Sequence, residues 1–320
     1  MPKVLITDGI QSAGLDVLTQ RSDIVVESCR DRTSDQELID RVVNADAVLV
    51  GVTPITQKII DAAQVLKVVS RRGVGYDNID LAALRRRKIP LTIVGAANSS
   101  TVAEHTLGFM LVLARKTMAY DRATRVGNWR FRESLVAMDL LGKTLFLVGF
   151  GRIGRAVASR ATAFGIQVVA YDPLVPESVF EEFRVGAIKD LLSGLVTCDF
   201  LSVHVPLTPE TSGLIGPKEL AAMKPTAYII STARGGVIDE EALLNALKMG
   251  LIQGAALDVF REEPLPANHP LLGLENVIFS PHSASLTREC AERMDTLAAR
   301  NCLDAIDGKL DPAMIVPNEG

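Results

Sequence analysis

Leu145-Phe146-Leu147-Val148-Gly149-Phe150-Gly151-Arg152-Ile153-Gly154 decides the fold of this chain. An apolar run enters a glycine turn, and a helical stretch (155–164) follows. A second apolar run (166–171) then ends on Asp172. Each part answers a requirement of dinucleotide binding. Gly149 permits a tight turn, Gly151 lets backbone approach a pyrophosphate, and Gly154 allows close helix–strand packing. Free amides at the helix start hold phosphate. Asp172, 18 residues after Gly154, stands where a carboxylate accepts hydrogen bonds from an adenosine ribose. A glycine triplet alone occurs in many turns; its register with strand, helix and acid makes the reading specific.

Outward from this stretch, apolar strands alternate with amphipathic helices from end to end, which predicts parallel α/β layers. Before it, strands are expected at 4–7, 24–27, 47–50, 65–70 and 91–94, with helices at 35–44 and 56–64 between them. A helix at 99–115, apolar nearly all round and so buried, opens on Ser99, Ser100 and Thr101 as possible caps. The second unit offers six strands, at 145–149, 168–171, 201–205, 227–231, 255–259 and 277–280, the number of a doubly wound nucleotide domain. The last helix, 287–305, belongs naturally to neither sheet and is expected to cross back to the first. The domains expected are 1–98 plus 287–320, discontinuous, and 99–286 for the dinucleotide.

Bulk properties narrow the class. With 320 residues the chain can hold two domains with sizeable cores. Its net charge of −4 and pI near 5.7 give no basic surface for nucleic acid. The cluster Arg85-Arg86-Arg87-Lys88 reads as a solvated helix end, where cations suit the dipole. Four scattered cysteines (Cys29, Cys198, Cys290, Cys302) without a C-x-x-C pair fit unpaired thiols in a reducing compartment. The N-terminus enters a strand at once, without a signal-peptide pattern, and the longest apolar stretch, 107–114, is too short to span a bilayer. A cytoplasmic protein with no membrane partner is expected.

Candidate chemistry lies at strand ends of the second unit, where open parallel sheets bind ligands. One strand leads into Thr232-Ala233-Arg234, another carries Asp258 and leads to Glu263-Pro264, and a third ends in Pro281-His282. Arg234 can give two parallel donors to a carboxylate. His282 can exchange a proton near neutral pH, and Glu263 would orient its imidazole and favour its charged form. Alone, each has a bland counterpart: a surface ion pair, a loop, a satisfied turn residue. Their shared location beside a dinucleotide fingerprint favours catalysis. His105 reads as an interdomain hydrogen-bonded residue, His204 as a residue lining the cofactor cleft, and His269 as loop surface. No histidine pair has ligand spacing, so no catalytic metal is expected, and no G-x-S-x-G elbow supports serine hydrolysis.

Several motifs along nearly the whole chain resemble those of the D-isomer-specific 2-hydroxyacid dehydrogenases. They include Gly73-Val74-Gly75-Tyr76-Asp77-Asn78-Ile79-Asp80, Asn98-Ser99-Ser100-Thr101-Val102-Ala103-Glu104-His105, the glycine loop, and His204-Val205-Pro206-Leu207-Thr208. Thr232-Ala233-Arg234-Gly235-Gly236, Leu257-Asp258-Val259-Phe260, Glu263-Pro264 and Pro281-His282 complete them. The resemblance implies two doubly wound parallel-sheet domains, a flavodoxin-like substrate domain and a Rossmann NAD-binding domain, with the active site in the cleft between them. It implies a homodimer formed through the nucleotide domain. It makes Arg234, Glu263 and His282 catalytic, with His282 the proton donor in reduction. Cofactor contacts are implied for Gly149, Gly151, Arg152, Ile153, Gly154, Asp172, Val205, Pro206, Thr211, Thr232, Ala233, Arg234, Asp258 and His282. Asp258 would fix the nicotinamide carboxamide, and Val74, Gly75 and Asn98 would meet the substrate. Ser283 and Ser285 depart from the family pattern after the histidine. Asp172 favours NAD over NADP, since a 2′-phosphate there would meet a carboxylate.

The substrate implied is a small 2-hydroxy or 2-oxo acid. Arg71 and Arg132, if they face the cleft, would bind a second anionic group, as in 3-phosphoglycerate or sulfolactate; otherwise hydroxypyruvate or glyoxylate fits. Arg72 and Arg130 sit beside them, with surface ion pairs as the plain alternative. The chain ends near Pro317, and no regulatory domain is expected. A reading from another class, a non-enzymatic NAD(H)-sensing protein, shares the fold, since fold does not fix function. It has no need of an acid–base pair, and formate oxidation needs none either.

Overall fold

The computed structural model describes residues 1–29 and 33–317, and the chain divides into two compact units. One comprises Met1–Asn98 with Leu286–Gly320, the other Ser99–Ser285.

The first unit holds β1 (Lys3–Ile6), β2 (Val25–Ser28), β3 (Ala47–Val50), β4 (Val68–Arg71) and β5 (Leu91–Thr92), all parallel, in the order β2-β1-β3-β4-β5. That is the flavodoxin-like winding, with its switch point beside β1. Val4, Leu5, Leu49 and Val68 are sealed from solvent, because helices cover both faces of a parallel sheet. β4 starts later than the apolar run suggests: Val65 is half exposed and only Val68 onward pairs with β3. The helix Arg288–Ile306, capped by Thr287 Oγ1 accepting from the Cys290 amide at 3.1 Å, lays Cys290, Met294, Ala298 and Cys302 on Val4, Ile6 and Val68. The Ser70 hydroxyl donates to the Ala298 carbonyl at 2.9 Å and ties the helix to β4.

In the second unit, β6 (Thr144–Val148), β7 (Gln167–Tyr171), β8 (Gly186–Ala187), β9 (Phe200–Val203), β10 (Tyr228–Ser231), β11 (Gly254–Leu257) and β12 (Val277–Phe279) form one parallel sheet. Its order is β12-β11-β10-β9-β6-β7-β8, the Rossmann winding with one strand added. The strand beyond that winding is β12, at the edge next to β11; β8, the strand additional to the six expected, is two residues paired with Val169 and Ala170, and so short a run carries no periodicity. Order reverses at β6, whose register sets Leu145 against both Val168 and Phe200. The first residues after β6 and β9 therefore sit side by side. Ser99–Ala114 is helical as expected, but its serines do not cap it. Ser99 lies inside with its hydroxyl unpartnered, and Ser100 donates to Glu104 at 3.0 Å.

Candidate active site

The glycine loop is built by collision. Gly149 adopts φ +98°, and a Cβ there would meet the His204 carbonyl carbon at 2.7 Å and Val205 Cγ1 at 2.9 Å. A Cβ on Gly154 would run into the Gly149 carbonyl oxygen, whereas one on Gly151 meets nothing within 4 Å. The loop is thus boxed in behind and open in front. Gly151 caps the helix Arg152–Thr162 without a side-chain hydrogen bond. The amides of Arg152 and Ile153 have no acceptor among the described residues, which leaves them for an anion. Asp172, at the end of β7, accepts from the Phe150 amide at 2.8 Å and the Leu174 amide at 3.0 Å. Val205 and Pro206 lead a loop closed by Thr211, whose hydroxyl donates to the Pro206 carbonyl at 2.6 Å. Thr232 is buried against Thr106, the hydroxyls 3.2 Å apart. Open amides, a cradle that admits no Cβ behind it and a carboxylate at the second strand fit a dinucleotide.

Glu263 and His282 meet at 2.7 Å, Oε2 to Nδ1. Glu263 Oε1 accepts from the Phe260 amide at 2.9 Å. Burial pushes this carboxyl up, but hydrogen bonds from His282 and the Phe260 amide, with the charges of His282 and Arg234, outweigh it and hold the group below its ordinary range. The His282 side chain keeps 46% of its surface exposed, so Nε2 is not sealed behind protein. The Arg234 guanidinium donates to the Ala233 carbonyl at 2.8 Å.

His282 itself sits at φ +52°, a conformation that costs a non-glycine residue about 1–3 kcal/mol and persists where surroundings over-determine it. Asp258 supplies that determination. Its carbonyl accepts the His282 amide at 2.8 Å. Its side chain, wholly buried, accepts from the Ser283 amide at 2.7 Å, the Ala284 amide at 2.9 Å and, closely, from the Ser280 hydroxyl. The ligand role that the resemblance gives Asp258 thus meets a carboxylate engaged in holding the histidine's loop. His105 Nε2 lies 3.0 Å from Ser280 Oγ. That bond is internal to its unit, and Phe109 packs edge-on against the imidazole. Sequence reading passed over Ser280, because a serine before a proline gives no sign of a partner 22 residues back.

His204 follows β9, with Nε2 2.9 Å from Ser202 Oγ and Nδ1 buried without a partner. Burial pushes its imidazole down to about 4, so it stays neutral beside the glycine loop. His269 is no plain surface residue: Nδ1 accepts from the Leu271 amide at 3.4 Å and Nε2 lies 3.6 Å from Glu240.

In the first unit, the loop after β4 presents the amides of Val74 and Gly75, which have no acceptor among the described residues. Arg71 folds back over this loop, Nε donating to the Gly75 carbonyl and Nη1 to the Arg72 carbonyl at 2.9 and 2.8 Å. Asn98 is buried with its side-chain oxygen unpartnered. Arg132 is exposed on the 3₁₀ segment Trp129–Ser134, and Arg130 pairs loosely with Glu133 at 3.7 Å.

A family model described as D-isomer specific 2-hydroxyacid dehydrogenase, NAD binding domain, matches residues 107–284. The chain belongs to this family. It is an NAD-dependent oxidoreductase acting on the CH–OH group of 2-hydroxy acids, and the unit Ser99–Ser285 carries its NAD-binding domain. The chain is 41% identical to a glyoxylate reductase of Thermofilum pendens, across 98% of this chain and 94% of that one. It is 39% identical to a D-3-phosphoglycerate dehydrogenase of Methanocaldococcus jannaschii, spanning 99% of this chain but 60% of that protein's length. Among solved structures, the TT0316 protein of Thermus thermophilus superposes with a TM-score of 0.89 at 37% identity, covering 98% of this chain and 100% of that one. In this dehydrogenase no helix among the described residues is long and apolar enough to cross a membrane.

Proposed function

We propose that this dehydrogenase interconverts a small 2-oxo acid of the glyoxylate or hydroxypyruvate kind with its D-2-hydroxy acid, with His282 as the proton carrier. NAD supplies or accepts the hydride when bound. In reduction, protonated His282 gives a proton to the carbonyl oxygen from Nε2, while Glu263 holds Nδ1 and the developing positive charge of the return step. Arg234 offers paired donors to the carboxylate and carbonyl of the acid. The Val74 and Gly75 amides receive the carboxylate, and the unpartnered oxygen of Asn98 accepts from substrate. Asp258 acts through the loop it holds and fixes where the imidazole points. For the dinucleotide, the first-turn amides of Arg152 and Ile153 take the pyrophosphate and Asp172 the adenosine ribose, which favours NAD over NADP. Val205, Pro206, Thr211, Thr232 and Ala233 line the remainder.

The observation that carries this reading is the 2.7 Å Glu263–His282 pair at the mouth of a dinucleotide domain. Arg71 supports a substrate without a second anion, since its guanidinium is drawn onto the loop's own carbonyls. Following NADH absorbance against glyoxylate, hydroxypyruvate, pyruvate, 3-phosphohydroxypyruvate and sulfopyruvate tests it. Highest kcat/KM with the unsubstituted acids is expected; preference for a phosphorylated or sulfonated acid would place Arg71 or Arg132 on the substrate.

We also infer a homodimer. The helix Thr117–Arg125 and the 3₁₀ segment Trp129–Ser134 bury none of their residues. Met118 and Trp129 stand exposed on them, and Val126 and Leu135 at their C-terminal ends. An apolar stretch of this extent usually marks an interface, and light scattering should return twice the chain mass. Cytoplasmic residence fits the four unpaired cysteines.

A further inference from the structure

The loop that offers the Val74 and Gly75 amides is anchored by a charge pair that neither the winding of the sheet nor the dinucleotide chemistry requires. Asp295 lies in the middle of the helix Arg288–Ile306, and its side chain is wholly buried. One carboxylate oxygen accepts from the Gln11 amide at 2.7 Å, just ahead of the helix Ser12–Thr19. The other accepts closely from Arg72 Nε. Arg72 in turn donates from Nη1 to the Gly9 carbonyl at 3.3 Å, and its own amide bonds the Val50 carbonyl at 2.8 Å. The site is built to this one carboxylate: Gly14 passes so close that a Cβ there would sit 2.6 Å from Asp295 Cβ. Burial raises the Asp295 carboxyl, against the pull of the Gln11 amide and Arg72.

A pair this deeply buried adds little net stability, because desolvation offsets its attraction. What it fixes is position. Arg72 is the residue immediately before Gly73-Val74-Gly75, and its carbonyl also receives Arg71 Nη1. The Arg72 guanidinium therefore pins the loop's entry to the helix, while the Arg71 guanidinium pins its exit at Gly75.

We propose that Arg72, clamped by the buried carboxylate of Asp295, is a positioning residue for the substrate: it holds the Val74 and Gly75 amides where a carboxylate can receive both. The proposal rests on the reading that these two amides bind the acid.

The test uses the full chain with glyoxylate as substrate and oxamate as its unreactive mimic. Asp295→Asn keeps the shape and removes the charge; Arg72→Met keeps the stem and removes the donors. Both should raise KM for glyoxylate and Ki for oxamate by about ten- to a hundredfold, the cost of an ångström-scale misplacement. The Kd for NADH should stay at its wild-type value. Arg72→Lys, which keeps the charge but not the fork, should fall between wild type and Arg72→Met. Val74→Pro, which deletes one amide donor, serves as the reference. If Val74→Pro raises KM and the folded Asp295 and Arg72 variants only lower Tm, the pair is structural and the positioning proposal falls alone. If Val74→Pro also leaves KM unchanged, the carboxylate-binding reading falls with it.

Discussion

Adding one methyl group at Gly154 should separate the phosphate site from the fold. The new Cβ of Gly154→Ala would overlap the Gly149 carbonyl oxygen, and Gly149 has little room to retreat, since even an added Cβ there would lie 2.7 Å from the His204 carbonyl carbon and 2.9 Å from Val205 Cγ1. The helix start must move instead. Restoring an ordinary separation of ~3.5 Å shifts it by about 1 Å. At that displacement the first-turn amides leave the 2.7–3.2 Å range of a good hydrogen bond. Losing one charge-assisted bond, at about 1.5–3 kcal/mol, weakens NADH binding by roughly 10- to 150-fold. Overpacking adds a stability cost of about 1–3 kcal/mol, visible as a Tm lower by several degrees. Gly151→Ala is the control: its Cβ meets no protein atom within 4 Å, so Tm should hold while a methyl facing the pyrophosphate still raises Kd. Fluorescence titration with NADH and a thermal melt read both quantities. Wild-type NADH affinity in folded Gly154→Ala would refute the assignment of the helix start to the phosphates.

Three further outcomes follow from the site. Arg234→Ala should raise KM for the 2-oxo acid and lower kcat together, since it touches ground and transition states alike; loss confined to Tm would make Arg234 structural. The Glu263 carboxyl is held low in the folded protein, so its contribution to stability is present above its unfolded value of about 4.3 and is lost as pH falls through the folded value. Denaturant titrations should then show His282→Gln less stable than wild type while the Glu263 carboxyl is ionised, with the gap closing as acid protonates it below its ordinary range; the gap should be small, because the Glu263 side chain is 34% exposed and solvent screens it. With Asp172 at the ribose, kcat/KM should favour NADH over NADPH by more than about tenfold, and equal use of both would overturn that preference.

The two sheets were legible because parallel strands buried on both faces write themselves as apolar runs, and the glycine loop because backbone collisions leave no room for a Cβ at Gly149 and Gly154. Strand ends moved by one to three residues where solvent, not composition, sets the boundary, as at Val65. β8 left no trace, since two residues have no period. Glu263 and His282 were singled out from their places after strands. What could not be read was partner choice across long separations. Arg72 finds Asp295 223 residues away, and His105 finds Ser280 175 residues away; each pairing exists only after the helices have packed. For the same reason the sequence left Arg71 open between a second anionic group of the substrate and a surface ion pair; in the structure its guanidinium donates to the carbonyls of the loop that follows it.

Reduction turns on the proton that His282 delivers, and a single-turnover experiment isolates that step. Protein saturated with NADH is mixed with glyoxylate in a stopped-flow instrument, and NADH absorbance is followed for wild type and for His282→Gln. NADH oxidation slower by about 10²–10⁴-fold is expected in the variant, with the Kd for NADH unchanged. A variant that oxidises NADH at the wild-type rate would contradict His282 as the proton donor.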